Sequence, residues 1–201
     1  MTPDTRGLLP GDVREELLRR WSEPHRHYHG ISHLVDGLAA LDALGGSTLE
    51  RIAFWFHDAV HSNTTPDDER ASAALVVDLL EGQRSPADIA EIQRLVLLTA
   101  GHVTGQGDSS GQRICDADLS ALGADDEVYR RNVRGIRAEL PHLSDAEWVL
   151  GRSAFLSGFL DRDHFFATVF GRQIWEIQAR ANMRRELQEL RAACTDDVPK
   201  P

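Results

Sequence analysis

The hydrophobic positions of this chain recur at helical spacing, and no stretch alternates for long between apolar and polar residues as a strand does. Val13, Leu17 and Trp21 would lie on one face of a first helix. Helix start signals then return at helical lengths, including the capping-box sequences Ser47–Glu50 and Ser144–Glu147. The pattern therefore predicts an all-α fold, a helical bundle with additional C-terminal helices.

Prolines, glycines and capping residues define the predicted limits of each helix. The helices are expected at Asp12 to Trp21, about Pro24 to Leu44, Ser47 through Asp58, Thr65 to Gly82, Ser85 to about Gly101, Ile114 to Leu122, Asp125 to Leu140, Ser144 to Leu160, and from a short segment at His164 to Phe170 to about Ala193. Gly101 to Arg113 is the longest predicted loop, and the tail from Thr195 to Pro201 is expected to fray. Without a linker rich in proline, glycine or serine, residues 1–201 are predicted to form one domain, with a core at about 24–140 and a C-terminal helical extension at about 144–194.

Composition excludes several classes of protein. The chain has 201 residues, of which 41% are hydrophobic and 27% charged, which is ordinary for a globular domain with one large core. A net charge of -10 and a pI near 5.3 disfavour a nucleic-acid-binding surface. No apolar run approaches the length of a membrane span, the N-terminus lacks the apolar core of a signal peptide, and two distant cysteines indicate no disulfide framework. The expected location is the cytoplasm, without a nucleic-acid or membrane partner.

Histidines and acids are concentrated in four segments of the sequence. These are His25–His33, His57–His61, Thr99–His102 and Cys115–Leu119. In the second, His57–Asp58 follows three aromatic residues, and a carboxylate at the end of an apolar run needs a neutralising partner such as a metal ion. Each segment taken alone is explained at least as well by a surface group or a helix cap. Together, however, the four segments of one small domain could converge on a single ion.

The order and rough spacing of His33, His57–Asp58 and Asp118 resemble the HD-domain superfamily of metal-dependent phosphohydrolases. The likeness is closest to a bacterial branch described as predicted metal-dependent HD phosphohydrolases, and it covers most of the chain. The segments that carry it are Tyr28–Leu34, Phe56–Val60, Asp68–Ala73, Asp116–Gly123, Tyr129, Ile136–Arg137, Gly151–Arg152 and Gln178–Asn182. His61 is a departure, since it matches no part of the core motif and would matter only if it supported a second metal.

The resemblance implies a set of site residues and a cofactor. One divalent metal ion would be bound by His33, His57, Asp58 and Asp118. Two imidazoles and two carboxylates suit Mn²⁺, Mg²⁺, Co²⁺, Fe²⁺ or Ni²⁺, and Zn²⁺ could occupy the site adventitiously. The acids expected to take a proton in catalysis are Glu69 and Asp116. The residues expected to contact substrate are His29, His102, Arg137 and Arg152.

The expected function is a metal-dependent phosphohydrolase that acts on a small phosphorylated metabolite, with a nucleotide as the preferred substrate. Three alternatives stay open: a metal-binding or nucleotide-sensing domain without turnover, an HD-type oxygenase with two irons, and a structural protein whose histidines never meet. The sequence also leaves the oligomeric state open, with a homodimer as one option.

Overall fold

The computed structural model describes residues 7–196, with side chains as far as residue 192. Within these residues the chain forms ten α-helices, one short 3-10 helix and no strand, so the predicted all-α class is confirmed. The elements are α1 (Gly11–Trp21), α2 (Ile31–Ala43), α3 (Thr48–Phe56), α4 (Asp67–Leu80), α5 (Pro86–Leu98), α6 (Ser109–Leu119), the 3-10 helix (Ser120–Gly123), α7 (Asp126–Ala138), α8 (Asp145–Leu160), α9 (Val169–Ile174) and α10 (Glu176–Asp196).

Capping chemistry fixes where several helices begin. At α3, the hydroxyl of Ser47 accepts a hydrogen bond from the backbone N–H of Glu50, and the Glu50 carboxylate accepts one from the N–H of Ser47. The same reciprocal pair, Ser144 with Glu147, starts α8. The buried Glu50 carboxylate also binds the Arg113 guanidinium at 2.7 and 2.8 Å, so the cap of α3 is tied to α6.

The segment before α2 differs from its prediction. Residues 24–30 form turns, and Gly30, with extended backbone, precedes the first helical residue Ile31. His25 and His29 therefore lie outside α2, contrary to the prediction of a helix that begins at about Pro24. Arg26 holds the turn in place, because its buried guanidinium donates to the carbonyl oxygens of His29 at 3.1 Å and Asp58 at 2.7 Å.

The loop after α5 is shorter than predicted. Its last residue is Asp108, whose carboxylate accepts the N–H of Gly111 at 2.9 Å and binds Arg94 at 2.7 Å. This cap starts α6 at Ser109 instead of Ile114. Asp116 and Asp118 consequently lie in the last turn of α6 and not at its beginning.

Two hydrophobic clusters form the interior, and Trp175 packs against both. The first joins α1 to α6, and the second joins α7, α8, α10 and the segment around Phe166. In the first, α2 and α3 approach closely at Gly37, where a Cβ atom would lie 1.9 Å from the ring of Phe54. The closeness of these helices brings the first and second histidine-bearing segments together. The division into a core at about 24–140 and a C-terminal extension at about 144–194 stays a prediction.

No helix in the described range is both long and apolar enough to cross a membrane. Cys115 is a buried free thiol. The predicted fraying concerns the tail, of which residues 197–201 lie outside the described residues.

Candidate metal centre

The four predicted metal ligands lie together at one wall of a cavity. Nε2 of His33 is 3.2 Å from Nε2 of His57 and 3.0 Å from Oδ1 of Asp118. Nε2 of His57 is 3.1 Å from Oδ2 of Asp58 and 3.4 Å from the same Asp118 oxygen. Both imidazoles are buried, whereas both carboxylates reach the cavity. Two nitrogen and two oxygen donors thus converge, a set that suits a divalent ion.

His57 is oriented before any ion arrives. Its Nδ1 donates to the carbonyl oxygen of Phe54 at 2.8 Å, so in the neutral ring Nε2 carries the lone pair that a metal needs. The indole ring of Trp21 packs against the imidazole, with 5.5 Å between ring centroids. The same indole donates its N–H to the carbonyl of Trp55 at 2.9 Å. Packing and hydrogen bonding therefore fix the ligand nitrogen from both sides.

The charges of His57, Asp58 and Asp118 shift one another's pKa values. Burial lowers the pKa of His57, but Asp58 and Asp118 outweigh it and raise that pKa well above its ordinary value. Burial raises the pKa of Asp118, yet the His57 charge and the hydrogen bonds from His102 and His33 hold it well below the usual range. A bound divalent ion would take the place of the proton as the neutralising charge. The residues present therefore fit a metal site.

His102 supports this centre from the loop that follows α5. Its Nε2 lies 2.8 Å from Oδ2 of Asp118, the oxygen that does not face His33. The backbone of His102 has a φ of 52°, a left-handed conformation that few residues other than glycine adopt. Expected to contact substrate, His102 lines the cavity and also orients the carboxylate of Asp118.

Glu69, one of the two predicted catalytic acids, lies in the first turn of α4 and lines the same cavity. The hydroxyl of Thr65 donates to its Oε1 at 2.7 Å. The other oxygen, Oε2, is buried and has no hydrogen-bond partner among the described residues. One oxygen is thus fixed, and the other is available for a further hydrogen bond.

Asp116, the other predicted catalytic acid, is hydrogen-bonded to the segment that leads into α9. Its carboxylate accepts the N–H groups of Ala167 at 2.7 Å and Thr168 at 2.8 Å, and the Thr168 hydroxyl at 2.6 Å. It does not line the cavity. Gly171 lies so close that an added Cβ would be 2.6 Å from Oδ2 of Asp116. This carboxylate fastens the start of α9 to α6, and its catalytic role stays a prediction that these contacts do not favour.

The two arginines expected to contact substrate are engaged elsewhere to different degrees. Arg137 does not line the cavity; it donates to the carbonyls of Leu140 and Leu143 and so holds the turn between α7 and α8. Its contact with substrate stays a prediction. Arg152 does line the cavity, but the buried carboxylate of Glu186 binds its guanidinium at 2.8 and 3.0 Å. Neither guanidinium is free to bind a phosphate without breaking these contacts.

Arg162 is a cavity residue that the sequence did not reveal. It lies in the turn after α8, and its guanidinium rests over the ring of Phe159, 4.0 Å from the centroid. Within the described part of the chain, no carboxylate lies within ion-pair distance of Arg162. No local motif marks it, since its position depends on how α8 ends.

The cavity has a volume of about 660 Å³. The metal centre and Glu69 contribute polar groups, whereas much of the remaining wall is apolar and aromatic. That wall includes Leu122, Val133, Ile136, Trp148, Phe155 and Phe159. Such a mixed lining is typical of a site for a small molecule with one polar end and one apolar or aromatic end.

His29 lies at the same cavity but bonds to a residue that the sequence did not reveal. Its Nδ1 is 2.6 Å from Oε2 of Glu139, the residue at the C-terminal end of α7. His61 lies beside both, with its ring 4.2 Å from that of His29. His29, predicted to contact substrate, is therefore part of a second cluster of donors.

Comparison with family models, curated proteins and solved structures gives no match to this chain. The resemblance to the HD-domain superfamily accordingly stays a prediction that rests on the residues quoted above.

Proposed function

We propose that this protein is a metal-dependent phosphohydrolase that acts on a small phosphorylated metabolite, with a nucleotide as the preferred substrate. One observation carries the proposal: His33, His57, Asp58 and Asp118 converge within hydrogen-bonding distances at the wall of a 660 Å³ cavity. The HD-type order of these ligands along the chain gives additional support.

The chain's own residues would divide the work of hydrolysis. A divalent ion, when bound, supplies Lewis acidity for a phosphoryl oxygen and lowers the pKa of water. Glu69 can accept a proton at its unpaired Oε2, while Thr65 holds the other oxygen still. His102 keeps Asp118 aligned with the imidazoles. Arg162 offers an unpaired cation for a non-reacting phosphate oxygen.

The apolar part of the cavity supports a substrate with an organic group larger than phosphate alone. Trp148 and Phe155 present aromatic surface beside Arg152, whose guanidinium lies 5.8 and 5.0 Å from their ring centroids. A planar base could stack on such a surface, and stacking does not depend on one particular base. This lining favours a nucleotide over inorganic phosphate or a sugar phosphate.

A nucleotide-sensing domain without turnover is the second candidate. The observation that favours it is the engagement of Arg137 and Arg152 in structural contacts, which leaves few free cations for the transition-state charge. Under this alternative the cavity binds the nucleotide and the metal but does not cleave the phosphate.

A panel of nucleotides and phosphomonoesters, tested with several divalent metals, separates the two. Chelated protein should be inactive, and Mn²⁺, Co²⁺ or Mg²⁺ should restore activity more readily than Ca²⁺. His57→Ala should abolish both metal binding and turnover, while His142→Ala, at an exposed histidine, should change neither. Tight nucleotide binding without hydrolysis would support the sensor. If the protein neither binds nor hydrolyses nucleotides, they are removed as the ligand class.

A further inference from the structure

A second group of donor atoms lies at the cavity beside the metal centre, with the ring of His29 5.8 Å from that of His33. It comprises His29 in the turn before α2, His61 in the turn after α3 and Glu139 at the end of α7. Each residue offers one ligand atom, and these atoms all lie within 4.8 Å of one another. Oε2 of Glu139 is 2.6 Å from Nδ1 of His29 and 3.5 Å from Nε2 of His61. Three distant segments of the chain thus meet at one carboxylate oxygen.

His61 has an unpaired nitrogen in this cluster. Its side chain is 8% exposed, and Nε2 has no hydrogen-bond partner among the residues that the structure describes. The separation of 3.5 Å from Glu139 is too long for a strong hydrogen bond. A buried polar nitrogen without a partner is unfavourable, so the arrangement calls for another group between the imidazole and the carboxylate.

Glu139 is held rigidly and stays charged. Its side chain is fully buried, and Oε1 accepts the backbone N–H groups of His27, Tyr28 and His29 at 2.7, 2.6 and 2.9 Å. Burial raises the pKa of Glu139, but the His29 and His61 side chains and the backbone N–H of Tyr28 outweigh it and lower that pKa well below its usual range. Since Oε1 is occupied by the backbone, Oε2 is the oxygen directed at both imidazoles.

We propose that His29, His61 and Glu139 form a second binding site for a transition-metal ion. Two imidazole nitrogens and one carboxylate oxygen favour Zn²⁺, Co²⁺, Mn²⁺ or Fe²⁺ over Mg²⁺ and Ca²⁺, which prefer oxygen ligands. The proton between His29 and Glu139 leaves when the ion binds, because an imidazole nitrogen coordinates only in its unprotonated form. Both histidines line the cavity, so the remaining coordination positions are open to water or substrate.

A purely structural role explains only part of this cluster. The His29–Glu139 hydrogen bond and the three backbone contacts hold the turn before α2 without any contribution from His61. The structural reading therefore leaves the buried Nε2 of His61 unexplained, whereas the metal site uses it as the third ligand. Binding of this ion does not depend on the protein being a phosphohydrolase.

Metal stoichiometry tests the proposal without an activity assay. Purified protein is stripped with chelator, loaded with Zn²⁺ or Co²⁺, freed of excess ion by gel filtration and analysed by elemental mass spectrometry. The wild-type chain should retain two ions, and His61→Phe and His57→Ala one each. The control His142→Phe makes the same substitution at an exposed histidine and should retain two. Circular dichroism verifies that each variant keeps its helical content.

The design keeps the two metal sites distinguishable. Glu139→Gln preserves an oxygen for the backbone N–H groups but removes the ligand charge, so it should retain one ion after gel filtration and serves if His61→Phe does not fold. A single wild-type ion that His57→Ala removes would overturn the second site. Two ions retained in both His61→Phe and Glu139→Gln would overturn it as well. A single ion that is lost in His61→Phe but kept in His57→Ala would support the second site and refute the metal centre.

Discussion

The two donor clusters of the cavity are held in different ways. Three of the four candidate metal ligands lie in or at the end of packed helices: His33 in the first turn of α2, His57 at the C-cap of α3 and Asp118 in the last turn of α6. The fourth, Asp58, lies in the turn that follows α3. In the second cluster, the two histidines lie in turns, and hydrogen bonds from the backbone fix Glu139. The first arrangement follows from helix packing, whereas the second depends on how two turns fold against the end of α7.

This difference determines how rigid each cluster is before metal binds. In the centre, the oxygen of Asp118 and the imidazole nitrogens are already 3.0 to 3.4 Å apart, since buried aromatic side chains hold the helices. In the second cluster, one imidazole is hydrogen-bonded and the other lies 3.5 Å away. We therefore expect the helix-borne centre to withstand changes in the turns, and the second cluster to respond to them.

The largest effect is expected from the two acids at the end of α6, which are only two residues apart. Asp118→Asn should abolish tight metal binding at the centre, because it removes a ligand charge. Asp116→Asn should keep the metal but lower the free energy of unfolding by about 1–3 kcal/mol, since it disturbs a buried acceptor of three hydrogen bonds. Calorimetric metal titration and thermal unfolding of metal-free protein measure the two effects. Stronger metal loss in Asp116→Asn would reverse the assignment.

These two acids also mark how far the sequence can predict the site. Capping signals predicted the starts of α3 and α8, and the His57–Asp58 doublet pointed to the centre, because helix-borne features leave local patterns. The partners of Asp116, by contrast, are 51 and 52 residues away, and Glu139 is 110 residues from His29. Contacts at such separations depend on tertiary packing, so no local spacing could reveal them.

The starts of α2 and α6, beside the site, also differ from what the local sequence predicted. The sequence predicted a helix from about Pro24, but Gly30 and the contacts of Arg26 fold the segment before Ile31 into turns. The glycine-rich stretch after α5 favoured a longer loop, but Asp108 caps α6 early. In both cases a tertiary or capping contact outweighs the local pattern.

The next largest effect is expected at Glu69. Glu69→Gln should retain both metal sites while kcat falls by about 10² to 10⁴-fold, as for loss of a general base. Gln keeps the shape and the contact with Thr65 but cannot accept a proton at the buried position of Oε2. Steady-state kinetics of the metal-loaded protein, with a substrate that the wild-type protein hydrolyses, measures the change in kcat. Unchanged kcat would show that the proton is accepted elsewhere, and loss of metal would make Glu69 a ligand.

A smaller effect, specific to the second cluster, is expected at Asp68. Its carboxylate accepts the N–H groups of Ser62 at 2.8 Å and Thr64 at 2.9 Å, and so holds the turn that carries His61. Asp68→Asn should cost about 1–3 kcal/mol of stability and weaken the second ion more than the first. Asp67→Asn, at an exposed neighbour, is the matched control. Equal weakening of both ions would contradict the distinction between helix-borne and turn-borne sites.

The Asp68 carboxylate should also make the stability of the fold depend on pH. Burial raises the pKa of Asp68, but the hydrogen bonds from Ser62 and Thr64 outweigh it and lower that pKa to about 2, from an ordinary 3.8. A depressed carboxyl pKa stabilises the fold above the ordinary value and loses this contribution as pH falls from about 4 towards 2. The difference in unfolding midpoint between wild type and Asp68→Asn should therefore shrink over that window. A constant difference would mean that the charge of Asp68 does not matter.

The smallest effect is expected from two arginines, one in a helix and one in a turn, that are candidates for binding the substrate. The family resemblance pointed to Arg137 within α7, but its guanidinium is bound to carbonyls of the following turn. Arg162, in the turn after α8, faces the cavity without a carboxylate partner in the described chain. Arg162→Ala should raise KM for a phosphorylated substrate by about fivefold, the size of one partly exposed charge contact, and leave kcat and metal content unchanged. Arg137→Ala should lower the unfolding temperature and leave KM unchanged. If KM rises for Arg137→Ala and not for Arg162→Ala, then Arg137 in α7 contacts the phosphate instead. Substrate binding would then have to rearrange the turn between α7 and α8.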